Sequence, residues 1–134
     1  MHTSTVKYLG DLRTECTHEK SQTKIITDAP VDNNGKGSAF SPTDLVATAY
    51  ASCVMTIMGV FCQTHGINFE KGEAKVTKVM SDAPRKIAKI VIEMNLQGNN
   101  WDEKTTQKII NAGKACPVGR SLDKDVEIEY TYIV

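Results

Sequence analysis

The sequence has no CxxC pair and no cysteine and histidine cluster at zinc-finger spacing, so a structural metal site is disfavoured. Its four cysteines, Cys16, Cys53, Cys62 and Cys116, lie far apart in 134 residues. In a chain this long they do not read as the disulfide framework of a small secreted domain. An excess of one charge is missing too: sixteen Lys and Arg balance sixteen Asp and Glu. That leaves no electrostatic footprint for nucleic acid or for an anionic membrane. Met1-His2-Thr3-Ser4-Thr5 lacks the basic start and apolar run of a signal peptide, and a cytoplasmic location is expected. Internal repeats are absent, and one domain over residues 1–134 is expected. Arginine is scarce, with only Arg13, Arg85 and Arg120.

The most informative absence is local: from Leu45 through Gln63 there is no charged residue. Ser41-Pro42-Thr43-Asp44 reads as a helix start, with Ser41 as N-cap, Pro42 at the first helical position and Asp44 reaching back as the acid of a capping box. The residues that follow are apolar on every face, which marks a core helix or a membrane span. About 19 uncharged residues just reach the length of a span. Against a span stand Thr48, Ser52, Thr56 and Gly59 within the run and the lack of a basic cluster at either end. A chain of this size cannot surround such a helix with its own mass, so a second copy is expected to complete the cover in a homodimer.

Elsewhere the pattern is of short strands. Residues 3 to 9, around Val6 and Tyr8, and 12 to 17, with Arg13 and Cys16, form a hairpin about Gly10-Asp11, and a third strand runs from about Thr23 to Thr27. Asp28 to Phe40 is a loop rich in turn formers. It lacks the spacing of a phosphate-binding loop and reads as a glycine turn. After Gly66, which stops the helix, Ile67 to Met80 reads as one long strand, with a turn at Ser81-Asp82-Ala83-Pro84. A partner strand from Ile87 to Leu96 follows. A second helix is expected from an Asn100 N-cap, with Ile109, Ile110, Ala112, Ala115 and Cys116 as its apolar stripe and Pro117 and Gly119 as its stop. Val126, Ile128, Tyr130 and Tyr132 alternate as a last strand. The class is α+β.

Cys53 has two readings on this evidence, a small buried hydrophobe and a reactive thiol. The second needs a nearby cation, because a helix dipole has faded by mid-helix. Arg13, on an early strand, is the best candidate. Cys62 lies nine residues on, about 180° round the helix, faces away from Cys53 and reads as structural. Cys16 has no evident partner. Cys116 is either the last core residue of its helix or a thiol placed where the chain leaves the helix.

Taken together, Phe40-Ser41-Pro42-Thr43-Asp44-Leu45, Ala49-Tyr50-Ala51-Ser52-Cys53 and Ala115-Cys116-Pro117-Val118 resemble the OsmC/Ohr family of thiol peroxidases over nearly the whole chain. The resemblance implies an intertwined α+β homodimer, with antiparallel strands around a long central helix. It also implies a cysteine-based peroxidase that reduces organic hydroperoxides to alcohols and serves in oxidative stress defence. Cys53 would then form a sulfenic acid that Cys116 resolves as a disulfide. No cofactor is implied, and an external thiol, often of the dihydrolipoyl type in this family, would recycle the protein. Arg13 would match the arginine that supports the thiolate. The family's acid is a glutamate ten residues before the cysteine in the Ohr branch, where this chain has Thr43, and the adjacent Asp44 is the alternative. The competing reading on the same fold is a non-catalytic dimeric protein that binds a small ligand.

Overall fold

The computed structural model describes residues 1–134 as two compact units, Met1–Val46 and Ala47–Val134. The first is an antiparallel three-stranded meander, β1 (Ser4–Gly10), β2 (Arg13–His18) and β3 (Lys24–Asp28), in spatial order β1-β2-β3. Gly10, Asp11 and Leu12 all take positive φ between β1 and β2, which makes the tight turn that Gly10-Asp11 foretells. In the β2 to β3 register Arg13 lies opposite Asp28. The loop beyond β3 folds into one 3-10 turn at Val31–Asn33. Gly35 packs there so closely on the Ala29 carbonyl that a Cβ would sit 1.8 Å from its oxygen.

Helix α1 (Pro42–Thr64) begins at the end of the first unit and runs through the second. Its capping box is complete. The Ser41 backbone N–H donates to Asp44 Oδ2 at 2.9 Å and the Asp44 N–H donates to Ser41 Oγ at 3.0 Å, which satisfies two N–H groups that no helical turn can reach. Beyond Thr64, Gly66 takes φ 65° and the Ile67 N–H returns to the Cys62 carbonyl at 2.8 Å. By length and composition α1 could cross a membrane. Its burial follows one stripe, Ala47, Tyr50, Ala51, Val54, Met58 and Cys62, at the three- and four-residue spacing of a helix face. The other faces are less covered, with Val46, Ala49, Ser52, Thr56 and Val60 exposed.

The second unit adds β4 (Glu73–Ser81), β5 (Lys86–Asn95), α2 (Glu103–Gly113), α3 (Pro117–Ser121) and β6 (Glu127–Ile133). The strands form a sheet in the order β4-β5-β6. Ile90, Ile92 and Met94 of β5, with Leu96, join the α1 stripe, Ile109 and Ile110 of α2, and Cys116 in one core. Gly113 brings α2 against α1: a Cβ there would lie 3.0 Å from both Met58 Cε and Val54 Cγ1. The opposite face of the sheet carries charge, including a Lys89 to Glu129 ion pair at 2.7 Å. The α+β class holds.

Four local expectations change. β5 and β6 pair in parallel, where an antiparallel strand is expected. The segment from 96 to 126, with two helices, supplies the long crossover that a parallel pair requires. The expected long strand from Ile67 shortens to begin at Glu73 because Asn99 intercepts the backbone before it. Asn99 Oδ1 accepts from the Glu70 and Lys71 N–H groups at 3.0 and 2.9 Å, and its Nδ2 donates to the Lys71 and Leu96 carbonyls at 2.6 and 2.8 Å. These bonds replace a strand ladder. The N-cap of α2 is Asp102, whose side chain accepts from the Thr105 N–H at 2.7 Å, while Asn100 takes φ 58° and belongs to the preceding turn. Pro117 starts a helix instead of only ending one. At the first position of α3 its missing N–H costs nothing, and α2 has already ended at Gly113.

Candidate active site

Cys53 lies on α1, half-buried and packed against the core. Cys116 lies 63 residues further along (116 minus 53), at the N-cap of α3, with 1% of its surface exposed. The fold brings these two near enough for the Cys53 sulfur to act on the Cys116 thiol. Both are free thiols. Cys116 Sγ also accepts from the Gly119 N–H at 3.4 Å and donates to the Tyr50 carbonyl at 4.0 Å. Burial pushes the Cys116 thiol up from its ordinary value and the neighbouring Cys53 sulfur adds to this, against a smaller downward pull from the Gly119 N–H. The cause is general: a thiolate loses hydration in apolar surroundings. Cys116 therefore holds its proton.

Two tyrosines complete this cluster. Tyr50 precedes Cys53 by one helical turn, and its hydroxyl is 2.7 Å from that of Tyr130 on β6. Tyr130 stacks on Tyr132 with ring centroids 5.7 Å apart. Burial, and then the hydrogen bond from Tyr50, hold the Tyr130 hydroxyl far above the ordinary phenol range, so it stays protonated. Gly119 sits directly on the Tyr50 ring, where a Cβ would lie 2.8 Å from the Tyr50 hydroxyl oxygen.

Arg13 and Asp44 belong to the first unit. Arg13 is held by Asp28 in a two-pronged ion pair, Nε to Oδ1 at 2.7 Å and Nη2 to Oδ2 at 2.9 Å. The Asp28 side chain is fully buried and also accepts from the Ser38 N–H at 3.2 Å. The hydrogen bond from Arg13 keeps the Asp28 carboxyl below its usual range despite burial, and Asp28 in turn raises Arg13. Such a fork fixes the guanidinium in direction as well as in charge. Asp44 accepts from Ser41 in the α1 capping box.

Of the remaining cysteines, Cys62 is 1% exposed and burial raises its thiol, as suits a packing residue. Cys16 Sγ is 3.8 Å from Thr14 Oγ1. No group of three or more His, Cys, Asp or Glu is arranged to hold a metal ion. Sequence reasoning passed over Asp28, Tyr50, Gly119 and Tyr130. Only Tyr50 had a local signal, its place one turn before Cys53 on the same helix face.

The chain matches the family model for OsmC-like protein over residues 35–131. No curated protein sequence matches it. Among solved structures it is similar to one from Psychrobacter arcticus 273-4, named for osmotic stress induction and detoxification response. That chain is 44% identical, with a TM-score of 0.93, and the match covers 98% of this chain and 96% of that one. It is also similar to an organic hydroperoxide resistance protein OsmC from Legionella pneumophila, at 17% identity and TM-score 0.76 over 100% and 98% of the two chains. A third is the organic hydroperoxide resistance protein OhrB of Bacillus subtilis, at 19% identity and TM-score 0.63 over 98% of each chain. The last two share the fold, and the first shares much of the sequence as well. With a family model spanning both the α1 start and the Cys116 turn, the chain belongs to the OsmC-like protein family.

Proposed function

We propose that this protein is a two-cysteine peroxidase that reduces organic hydroperoxides to alcohols in the cytoplasm. The observation that carries the reading is the pair of free thiols, Cys53 half-buried on α1 and Cys116 buried beside it and holding its proton. The names of the relatives, which include organic hydroperoxide resistance proteins, support the substrate class.

In this reading the Cys53 thiolate attacks the distal oxygen of the hydroperoxide. The O–O bond breaks, the alkoxide leaves and takes a proton to become the alcohol, and Cys53 becomes a sulfenic acid. The Cys116 sulfur then attacks the sulfenic sulfur. An S–S bond forms, the S–O bond breaks, and the sulfenic oxygen leaves as water with the Cys116 proton. An external dithiol, of the dihydrolipoyl type in the family that the motifs resemble, returns the disulfide to two thiols by exchange. Arg13, held by Asp28, is the cation assigned to support the Cys53 thiolate, and Asp44 is the acid assigned to orient it.

Peptide mapping after one equivalent of an organic hydroperoxide is expected to find Cys53 linked to Cys116 and to no other cysteine. Cys53 left unmodified while the peroxide persists would sink the enzyme and favour a ligand-binding protein.

The working form is assigned as a homodimer. Only 33% of the apolar window of α1 is buried within one chain, and its outward Ala49, Ser52 and Thr56 are small enough for a second helix to approach. Sedimentation at micromolar concentration is expected to give twice the 14.7 kDa of one chain. A single monomer species would remove the assignment.

A further inference from the structure

The thiol pair explains what is oxidised, but a disulfide closes only when the second sulfur is carried into a narrow range of distance and angle. Cys116 sits on a connection between α2 and α3, and its position depends on what that connection rests against. The structure answers with one residue, through its main chain and its ring. Tyr50 accepts the Cys116 thiol at its carbonyl, at 4.0 Å, and its ring lies beneath Gly119, the residue whose N–H caps the same sulfur at 3.4 Å. A Cβ at Gly119 would meet Tyr50 at Oη, Cε2 and Cζ, at 2.8, 3.0 and 3.1 Å. The closeness is thus a feature of this pair of residues. The Tyr50 ring is itself fixed at its far end, where its hydroxyl is 2.7 Å from Tyr130 Oη on β6.

We propose that Tyr50 is the positioning residue for the Cys116 thiol, that Tyr130 holds Tyr50 in place through the hydroxyl pair, and that Gly119 is required so that the turn can sit on the Tyr50 ring. The two tyrosines act on the second half of the cycle alone. They set the approach of the Cys116 sulfur to the Cys53 sulfenic acid, in the step that forms S–S and releases water. Because the hydroxyl pair is partly buried, removing one partner leaves the other without the bond that fixed it. Phenylalanine at either position keeps the ring and its packing while deleting that bond. The Cys116 turn then loses its fixed seat, and a reacting group displaced by about 1 Å can lose as much as 10²-fold in rate.

This inference rests on the peroxidase reading, and rapid-mixing kinetics separates the two. Wild type, Tyr50→Phe, Tyr130→Phe and the control Tyr132→Phe are mixed with an organic hydroperoxide, and two rates are followed. The first is sulfenic acid formation, trapped by a 1,3-diketone probe; the second is closure of the Cys53 to Cys116 disulfide. In Tyr50→Phe and Tyr130→Phe formation is expected at the wild-type rate and closure to slow by roughly tenfold, with trapped sulfenic acid rising in step. Tyr132→Phe is expected to match wild type in both. Gly119→Ala is expected to slow closure as well, and Gly119→Ala combined with Tyr50→Phe to slow it by less than the product of the two single effects, since the clashing oxygen is gone. A merely structural role would slow both steps together or neither. Closure at the wild-type rate in both tyrosine variants overturns the proposal alone, as does equal slowing of formation and closure. A wild-type protein that forms no sulfenic acid overturns the peroxidase reading and takes this proposal with it.

Discussion

Cys53→Ser is expected to abolish hydroperoxide consumption, and Cys116→Ser to allow one turnover and then stop. A serine hydroxyl is scarcely ionised near neutral pH and is not oxidised by a hydroperoxide, so the first variant has no atom to accept the oxygen. The loss should reach roughly 10⁴-fold or more, the scale set by deleting a covalent nucleophile. In Cys116→Ser the attack on peroxide is untouched, but the sulfenic acid has no thiol beside it. One equivalent of peroxide per chain is consumed, and excess peroxide carries Cys53 on to the sulfinic acid, which thiols do not reverse. Mass spectrometry of the intact chain then shows a gain of one oxygen and later of two. Steady turnover by Cys53→Ser would remove Cys53 from the mechanism. Undiminished turnover by Cys116→Ser in a thiol too bulky to enter the site would remove Cys116.

The second large effect concerns stability. Met58 is fully buried and belongs to the cluster that joins α1 to β5 and α2. Met58→Ala leaves a hole that close-packed neighbours can only partly fill, and the loss should be about 2 to 5 kcal/mol. Val54 and Met58 are also the atoms against which Gly113 packs, so the hole opens at the α1 to α2 contact. Equilibrium urea unfolding of the two proteins at one matched chain concentration measures it, since association shifts apparent stability. A loss under about 1 kcal/mol would mean that this contact is not where the core is tied together. Activity gives a second reading of the same variant: Cys116 follows α2 by a few residues, so a looser α2 should slow disulfide closure as well.

The sequence by itself determined the features that are short in range. The Ser41 to Asp44 capping box and the Gly66 stop set the limits of α1 because a helix end is satisfied, or not, by residues within one turn of it. The absence of charge from Leu45 to Gln63 announced a long apolar helix, and the alternation around Val6, Ile90 and Tyr130 announced strands, since a pleat repeats every two residues. Cys53 and Cys116 stood out only through the family resemblance, since periodicity alone left each open to a packing reading. Tertiary structure alone decided everything that joins distant parts of the chain. Arg13 meets Asp28 only through the β2 to β3 register, which the residues of the intervening turn do not announce. Asn99 ends the strand expected from Ile67 by bonding backbone groups 28 and 29 residues away, where local propensity still favoured an extended ladder. Tyr50 meets Tyr130 across 80 residues, because β6 returns in parallel beside β5 after two helices. Cys53 meets Cys116 because Gly113 lets α2 lie against α1 and α3 then turns on the Tyr50 ring. The physical reason is common to all four. Caps and periodicity are free energies of neighbours along the chain, whereas these contacts become favourable only after the sheet or core that carries them has closed and removed the alternatives.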